Sequence, residues 1–179
     1  MDNDTVILIG PMGVGKTTVA RLLAPKLGLP NTSFDEHKWT YLAAAGWDKT
    51  EAHRIRDTEG MYAMGQYTQR FPEVLENFID DHRGQVLDLA GGSTCYDEPE
   101  QIERTKAFFA PIQHVILLMP STDLKTNIET LPGIKERITM NTYMIMHPLK
   151  EEVAKHTVYT QGKTPEETAA EVATLVTDT

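Results

Sequence analysis

Gly10, Gly15, Lys16 and Thr17 stand in the order Gly-x-x-x-x-Gly-Lys-Thr, a spacing suited to binding phosphate chains. Glycines reach backbone angles closed to other residues, so successive N–H groups can turn towards one anion. The lysine after the second glycine reaches the terminal phosphates, and the next hydroxyl is a ligand for Mg²⁺. The pattern predicts a nucleoside triphosphate site, for ATP with Mg²⁺, on Gly10, Met12, Gly13, Val14, Gly15, Lys16, Thr17 and Thr18. Lys16 is the catalytic cation of that site.

Two acidic positions extend the set. Asp88 ends the apolar run Val86-Leu87-Asp88-Leu89 and is followed by Ala90-Gly91-Gly92. A carboxylate on a strand beside a phosphate loop serves to hold Mg²⁺ or its waters, so Thr17 and Asp88 are the predicted metal residues. The competing role for Asp88 is capping a loop. Asp35 follows the short second strand read at residues 31–34 and is the predicted catalytic group that orients an acceptor hydroxyl or takes its proton. Aspartate at that place also caps a helix well.

The elements that must position these residues are legible as alternating patterns. Residues 5–9, 31–34, 85–89, 114–119 and 157–159 read as short strands, most of them apolar. Helices are predicted over 17–27, 99–109, 134–144 and 148–155, with Gly28 a stop for the first. From 35 to 82 the pattern is mostly helical, with breaks near Gly46, Gly60, Gly65 and Pro72. Residues 121–133 read as polar and irregular. Thr164, Pro165 and Glu167 form the start signal of a last helix. Alternation of this kind predicts an α/β, three-layer P-loop fold: a mainly parallel five-stranded sheet with helices on both faces. A single domain over 1–179 is the expected organisation.

Composition bounds the functions available. The chain has 179 residues, 40% of them apolar and 24% charged, with a formal net charge of -9. That balance suits a soluble globular protein and argues against nucleic acid as a partner. The one cysteine, Cys95, excludes an internal disulfide, and the six histidines show no zinc-ligand spacing. Met1-Asp2-Asn3-Asp4 lacks the basic start of a secretion signal, and runs such as 115–119 are too short to cross a bilayer. No membrane partner, a monomer and a cytoplasmic location are the expectations.

With these motifs in place, the chain resembles the shikimate kinase family of small P-loop kinases. The resemblance runs through Gly10–Gly28, through Asp35, and through Arg56-Asp57-Thr58-Glu59, which is similar to an Arg-x-x-Glu element whose arginine grips the substrate carboxylate. Ala90-Gly91-Gly92 is similar to a triple glycine that lines the substrate pocket. Residues 148–154 and 160–167 look like the segment leading to the adenine loop and last helix. The resemblance implies a kinase that moves the γ-phosphoryl group of ATP to a hydroxyl of a small molecule. It implies substrate contacts at Asp35, Arg56, Gly91 and Gly92, a substrate-binding helical region over about 35–82, and a lid over about 122–144. Lys135 and Arg137 are the lid cations, with Arg137 taken as catalytic; Arg70 offers a second Arg-x-x-Glu spacing.

Departures bear on the substrate. The first aspartate of the family's Asp-x-Asp motif is Ser33, and the first glycine of the triplet is Ala90. Met146 stands where an arginine helps hold the shikimate carboxylate, and Lys150 stands at a tyrosine position. Methionine cannot give a carboxylate the paired hydrogen bonds of a guanidinium. The expected acceptor is therefore a hydroxyl compound other than shikimate. The alternatives are a nucleotide-binding module without transfer activity, and shikimate itself in a rebuilt pocket.

Overall fold

The computed structural model describes residues 4–60, 63, 64, 67, 72–131 and 135–178, with residues 135–139 described by their backbone alone. Five strands form one sheet: β1 (Val6–Ile9), β2 (Asn31–Ser33), β3 (Val86–Asp88), β4 (His114–Met119) and β5 (His156–Tyr159), in the spatial order β2-β3-β1-β4-β5. Every pairing is parallel. β1 and β4 are buried at each residue, which requires cover on both faces and explains their unbroken apolar sequence.

The register places the chemistry. Leu8 pairs with Asp88, and Ser33 pairs with the same aspartate from the other side. The carboxyl ends of β1, β2 and β3 therefore converge on one crevice, the usual ligand edge of an open parallel sheet.

Among the described residues the helices are α1 (Lys16–Leu27), α2 (Phe34–Ala44), α3 (Lys49–Glu59), α4 (Pro72–Asp81), α5 (Pro99–Phe109), α6 (Leu124–Thr130), α7 (Lys135–Met146), α8 (Leu149–Val153) and α9 (Pro165–Thr177). α1 starts on the lysine and ends at Gly28, whose φ of 68° closes the helix in the left-handed conformation. Gly46 and Gly60 likewise mark the ends of α2 and α3 with positive φ; Gly65 lies outside the described residues. α9 carries the predicted capping box, with the Thr164 hydroxyl accepting from Glu167 N–H and the Glu167 carboxylate accepting from Thr164 N–H.

One stretch differs in kind. Residues 124–130, read from the sequence as irregular, form α6 because Asp123 caps it, accepting from the N–H and hydroxyl of Thr126. Asn127, buried on this helix, accepts from Ser121 N–H and ties it to the end of β4. Helix boundaries also move: α7 runs two residues further than the pattern predicts, and α8 is shorter at both ends. No described helix is long and apolar enough to cross a membrane.

Candidate active site

The turn between β1 and α1 is built on glycine. Gly10, Gly13 and Gly15 have φ of 141°, 85° and 100°, angles that L side chains rarely adopt. A Cβ on Gly10 would lie 2.3 Å from the carbonyl oxygen of Leu118, so that position is also closed by contact. No side chain caps the start of α1. Its first-turn N–H groups face the loop with the positive end of the helix behind them, an anion site by construction.

Lys16 is buried and curls over this loop, its ammonium donating to the carbonyl oxygens of Gly10 (2.8 Å) and Pro11 (2.9 Å). Burial pulls its pKa down to about 8, and the nearby Asp35 and Asp88 carboxylates partly offset that shift. The same two carboxylates the sequence singles out thus sit within electrostatic reach of the loop lysine.

Asp88, Thr17 and Ser33 meet at the ends of β3, α1 and β2. Asp88 Oδ2 accepts from the Thr17 hydroxyl and, at 3.2 Å, from the Ser33 hydroxyl. Asp88 Oδ1 is buried without a hydrogen-bond partner among the described residues. A buried carboxylate oxygen left so is costly unless a cation or donor completes it. A hard oxygen set of one carboxylate and two hydroxyls, beside a phosphate loop, fits Mg²⁺, which takes one or two carboxylates together with substrate phosphates. Consistent with that sparse set, the described residues contain no group of three or more His, Cys, Asp or Glu arranged around a metal.

A cavity of about 530 Å³ opens from the phosphate loop. Its floor is Gly15, Lys16, Thr17 and Thr18. The cavity is also lined by Asp35 and Lys38, by apolar residues of α2 and α4, by Gly91, Gly92 and Ser93, and by methionines of the loop and α7. The glycine turn after β3 is tight against the phosphate loop: a Cβ on Gly91 would lie 2.9 Å from Met12 N and 3.0 Å from Met144 Sδ.

Several sequence-predicted residues are placed differently from expectation. The Asp35 carboxylate lines the cavity but accepts from Lys38 Nζ at 2.9 Å, a partner that the sequence reading missed although it lies three residues on along α2. The Arg56 guanidinium is exposed, bonds the Asp57 carboxylate at 2.8 Å, and is not among the described cavity-lining residues. The Met12 amide is also engaged elsewhere, since Met12 N–H donates to Asn141 Oδ1 (3.1 Å) and Met12 C=O accepts from Asn141 Nδ2 (3.0 Å). Asn141, buried on α7, was not singled out from the sequence, where a lone asparagine in a helix gives no signal. Met146 is 63% exposed. Lys150 is buried and donates to the carbonyl oxygens of Ile145 (2.6 Å) and His147 (2.8 Å), fastening the end of α7 to α8. Arg70 and the side chains of Lys135 and Arg137 lie outside the described residues.

A five-stranded parallel sheet with this loop, lysine and carboxylate defines a P-loop nucleotide-binding enzyme. The pattern described as ATPase family associated with various cellular activities (AAA) matches residues 6–87. The chain is 30% identical over 174 residues to a shikimate kinase of Streptomyces coelicolor, spanning 93% of this chain and 92% of that one. It is also 30% identical over 179 residues to a shikimate kinase of Saccharopolyspora erythraea, spanning 96% and 93%. The fold matches that of a shikimate kinase from Acinetobacter baumannii solved with shikimate, at a TM-score of 0.66 and 22% identity, over 98% of this chain and 93% of that one. The chain belongs to the shikimate kinase family, and it is an ATP-binding small-molecule kinase.

Proposed function

We propose that this enzyme transfers the γ-phosphoryl group of ATP, with Mg²⁺, to a hydroxyl of a small molecule other than shikimate. The observation that carries the reading is the continuity of the cavity from Lys16 and Thr17 to Asp35. Phosphoryl transfer needs positioning and charge neutralisation more than covalent help from the protein. The loop amides and Lys16 hold the phosphate chain and neutralise it. Thr17 and Asp88 are the residues that hold Mg²⁺, with Ser33 fixing the Asp88 carboxylate. Bound there, the metal offsets charge on the phosphate oxygens. Asp35 shares the cavity with the loop residues, and its carboxylate accepts the proton of an acceptor hydroxyl. The helices from α2 to α4 form the acceptor side, and residues 122–144 form the lid.

Shikimate fits this cavity poorly on charge. The arginine read as its carboxylate grip, Arg56, is paired with Asp57 outside the lining, and Met146 replaces a second guanidinium.

The test is a coupled ADP-release assay over hydroxylated acids, sugars, nucleosides and aminoglycosides, with Lys16→Ala as the blank. At least one acceptor should raise ADP release several-fold above the ATP-only rate. Tight ATP binding with no stimulation by any of them would make the chain a nucleotide-binding module instead.

A further inference from the structure

Besides Lys16 of the phosphate loop, the described cavity lining carries one more cation, Lys38. It stands three residues after Asp35 on α2, a spacing that brings both side chains to one face of the helix. Lys38 Nζ donates to Asp35 Oδ1 at 2.9 Å. The pair is reachable, with the lysine side chain 31% exposed and the aspartate 59%. Lysine of this kind keeps its stem against the protein and its charge at the surface.

Ion pairs at this spacing commonly decorate a helix and contribute little. Arg54 with Glu51, Arg83 with Asp80 and Lys106 with Glu103 are of that sort, and none of these residues lines the cavity. Asp35 and Lys38 both line it.

The pair also has capacity to spare. An ammonium has three donors, and one is used on Asp35 Oδ1. Asp35 Oδ2 accepts from no described residue. Together they offer an oxygen that takes a hydroxyl proton and, in contact with it, donors for an anion. Asp35 is within electrostatic reach of Lys16 as well, so its carboxylate has the phosphate-loop cation and Lys38 for neighbours. An anion on Lys38 would therefore stand close to the hydroxyl that Asp35 holds. Lysine is a point charge, without the planar fork that grips both oxygens of a carboxylate.

On the kinase reading above, we propose that Lys38 is a specificity-determining residue: it holds the carboxylate of a hydroxy acid whose neighbouring hydroxyl bonds Asp35 and receives the phosphoryl group. The acid and the reacting hydroxyl stand on the same or adjacent carbon atoms, because the two groups that hold them touch. The body of the acceptor meets Phe34, Leu42, Val74 and Leu75, which line the same cavity. In the transfer the bond from the γ-phosphorus to the ADP oxygen breaks. The acceptor oxygen forms the new bond to phosphorus, and its proton passes to the Asp35 carboxylate and on to solvent. The products are ADP and a phosphate monoester.

The experiment uses the cis-2-, cis-3- and cis-4-hydroxycyclohexanecarboxylates, the linear 2-, 3- and 4-hydroxyhexanoates, and the amide of each. Binding to the ADP-loaded full chain is measured by calorimetry, and transfer from ATP by phosphate-ester detection. In both series the 2-isomer or, for the linear acids, the 2- or 3-isomer should bind most tightly. Lys38→Met should weaken binding of that acid about tenfold, as for one charged hydrogen bond in a partly exposed site. Lys38→Arg, which keeps the charge, should retain most of it. The amides should bind the parent and Lys38→Met alike, a contrast that a merely structural role would not produce. A melting temperature raised by ADP as in the parent shows that each variant is folded. Lys38-dependent acid binding with phosphate-ester formation supports both readings. The same binding without transfer supports the assignment of Lys38 and removes the kinase reading. Equal acid binding by the parent and Lys38→Met, an equal loss for acid and amide, preference for the 4-isomers, or binding of none of the acids overturns the assignment. In that event phosphorylation of any other alcohol would still leave the kinase reading standing.

Discussion

Lys16 carries the nucleotide through charge at a buried position, and that makes two predictions. Lys16→Ala removes the point charge of the loop, leaving only backbone donors, so ATP affinity should fall strongly and phosphoryl transfer should vanish. A circular dichroism spectrum matching the parent would show the fold intact, and a titration giving parental ATP affinity would defeat the assignment. The second concerns pH. Burial holds the ammonium pKa at about 8, and bound phosphates raise it by offsetting that burial. Below that value lysine is charged in both states; above it, binding must take up a proton. Affinity for ADP should therefore fall roughly eightfold between pH 7.5 and 9, the single-proton linkage for this pKa. Calorimetry in buffers of different ionisation heat would count the proton; a pH-independent affinity would show that Lys16 is already charged throughout. Asp88 gives a third prediction at this scale. Its unpartnered Oδ1 and its bond to Thr17 suit a cation more than a turn cap. Asp88→Asn should slow transfer by roughly a hundredfold or more, the scale for losing one preorganised electrostatic contact. Metal-free nucleotide binding should change far less. Normal turnover would move the metal role to Asp35 or Ser33.

At the scale of elements, the connection between α7 and the phosphate loop is the least expected from the sequence. Asn141 makes two reciprocal bonds to the Met12 peptide, so the helix that closes the proposed lid also sets the orientation of a loop amide. Truncating it leaves a part-buried N–H and C=O unpaired, at about 1–3 kcal/mol each in unfavourable cases. Asn141→Ala should lower the melting temperature by several degrees, since about 1 kcal/mol moves a chain of this size by about 2–4 °C. It should also weaken ADP binding, because the loop loses its anchor. A calorimetric scan with and without ADP checks both; lower stability with parental ADP affinity would reduce Asn141 to a packing role. The α7–α8 junction is held differently, by Lys150 bonding the carbonyl oxygens of Ile145 and His147. Its buried ammonium sits where the resemblance places a tyrosine, and here it acts as a helix cap.

For the whole molecule, the decisive property is how charge is distributed over the cavity. The chain carries a net charge of -9, yet its loop binds an anion, which is possible because the helix end, the amides and Lys16 form a local positive site. On the acceptor side the described lining carries one cation, Lys38, in an exposed pair with Asp35. Each charged hydrogen bond missing from a carboxylate costs about 1.5–3 kcal/mol, roughly ten- to more than a hundredfold in affinity. Shikimate should accordingly be turned over with kcat/KM below about 10⁴ M⁻¹s⁻¹, the lower end for good enzymes. Steady-state kinetics at saturating ATP measures this directly, and efficient turnover would show that cations from outside the described residues complete the pocket.

Much of this protein was legible in the order of its residues. The phosphate loop, its helix, the strand carrying Asp88 and the cap of the last helix all depend on neighbours within a few positions, so local spacing was enough to find them. Pairings across long separations were not legible. Asn141 with Met12, Ser33 with Asp88, and the methionines that share a cavity with residues of α2 and α4 are joined by the fold alone. For Arg56 the sequence offers a spacing alone, because which way a side chain leaves a helix depends on what that helix packs against; on α3 its guanidinium is exposed and bonds the Asp57 carboxylate. The chemistry of the nucleotide was therefore local and readable, whereas the chemistry of the acceptor was decided by which distant surfaces the tertiary structure brought together.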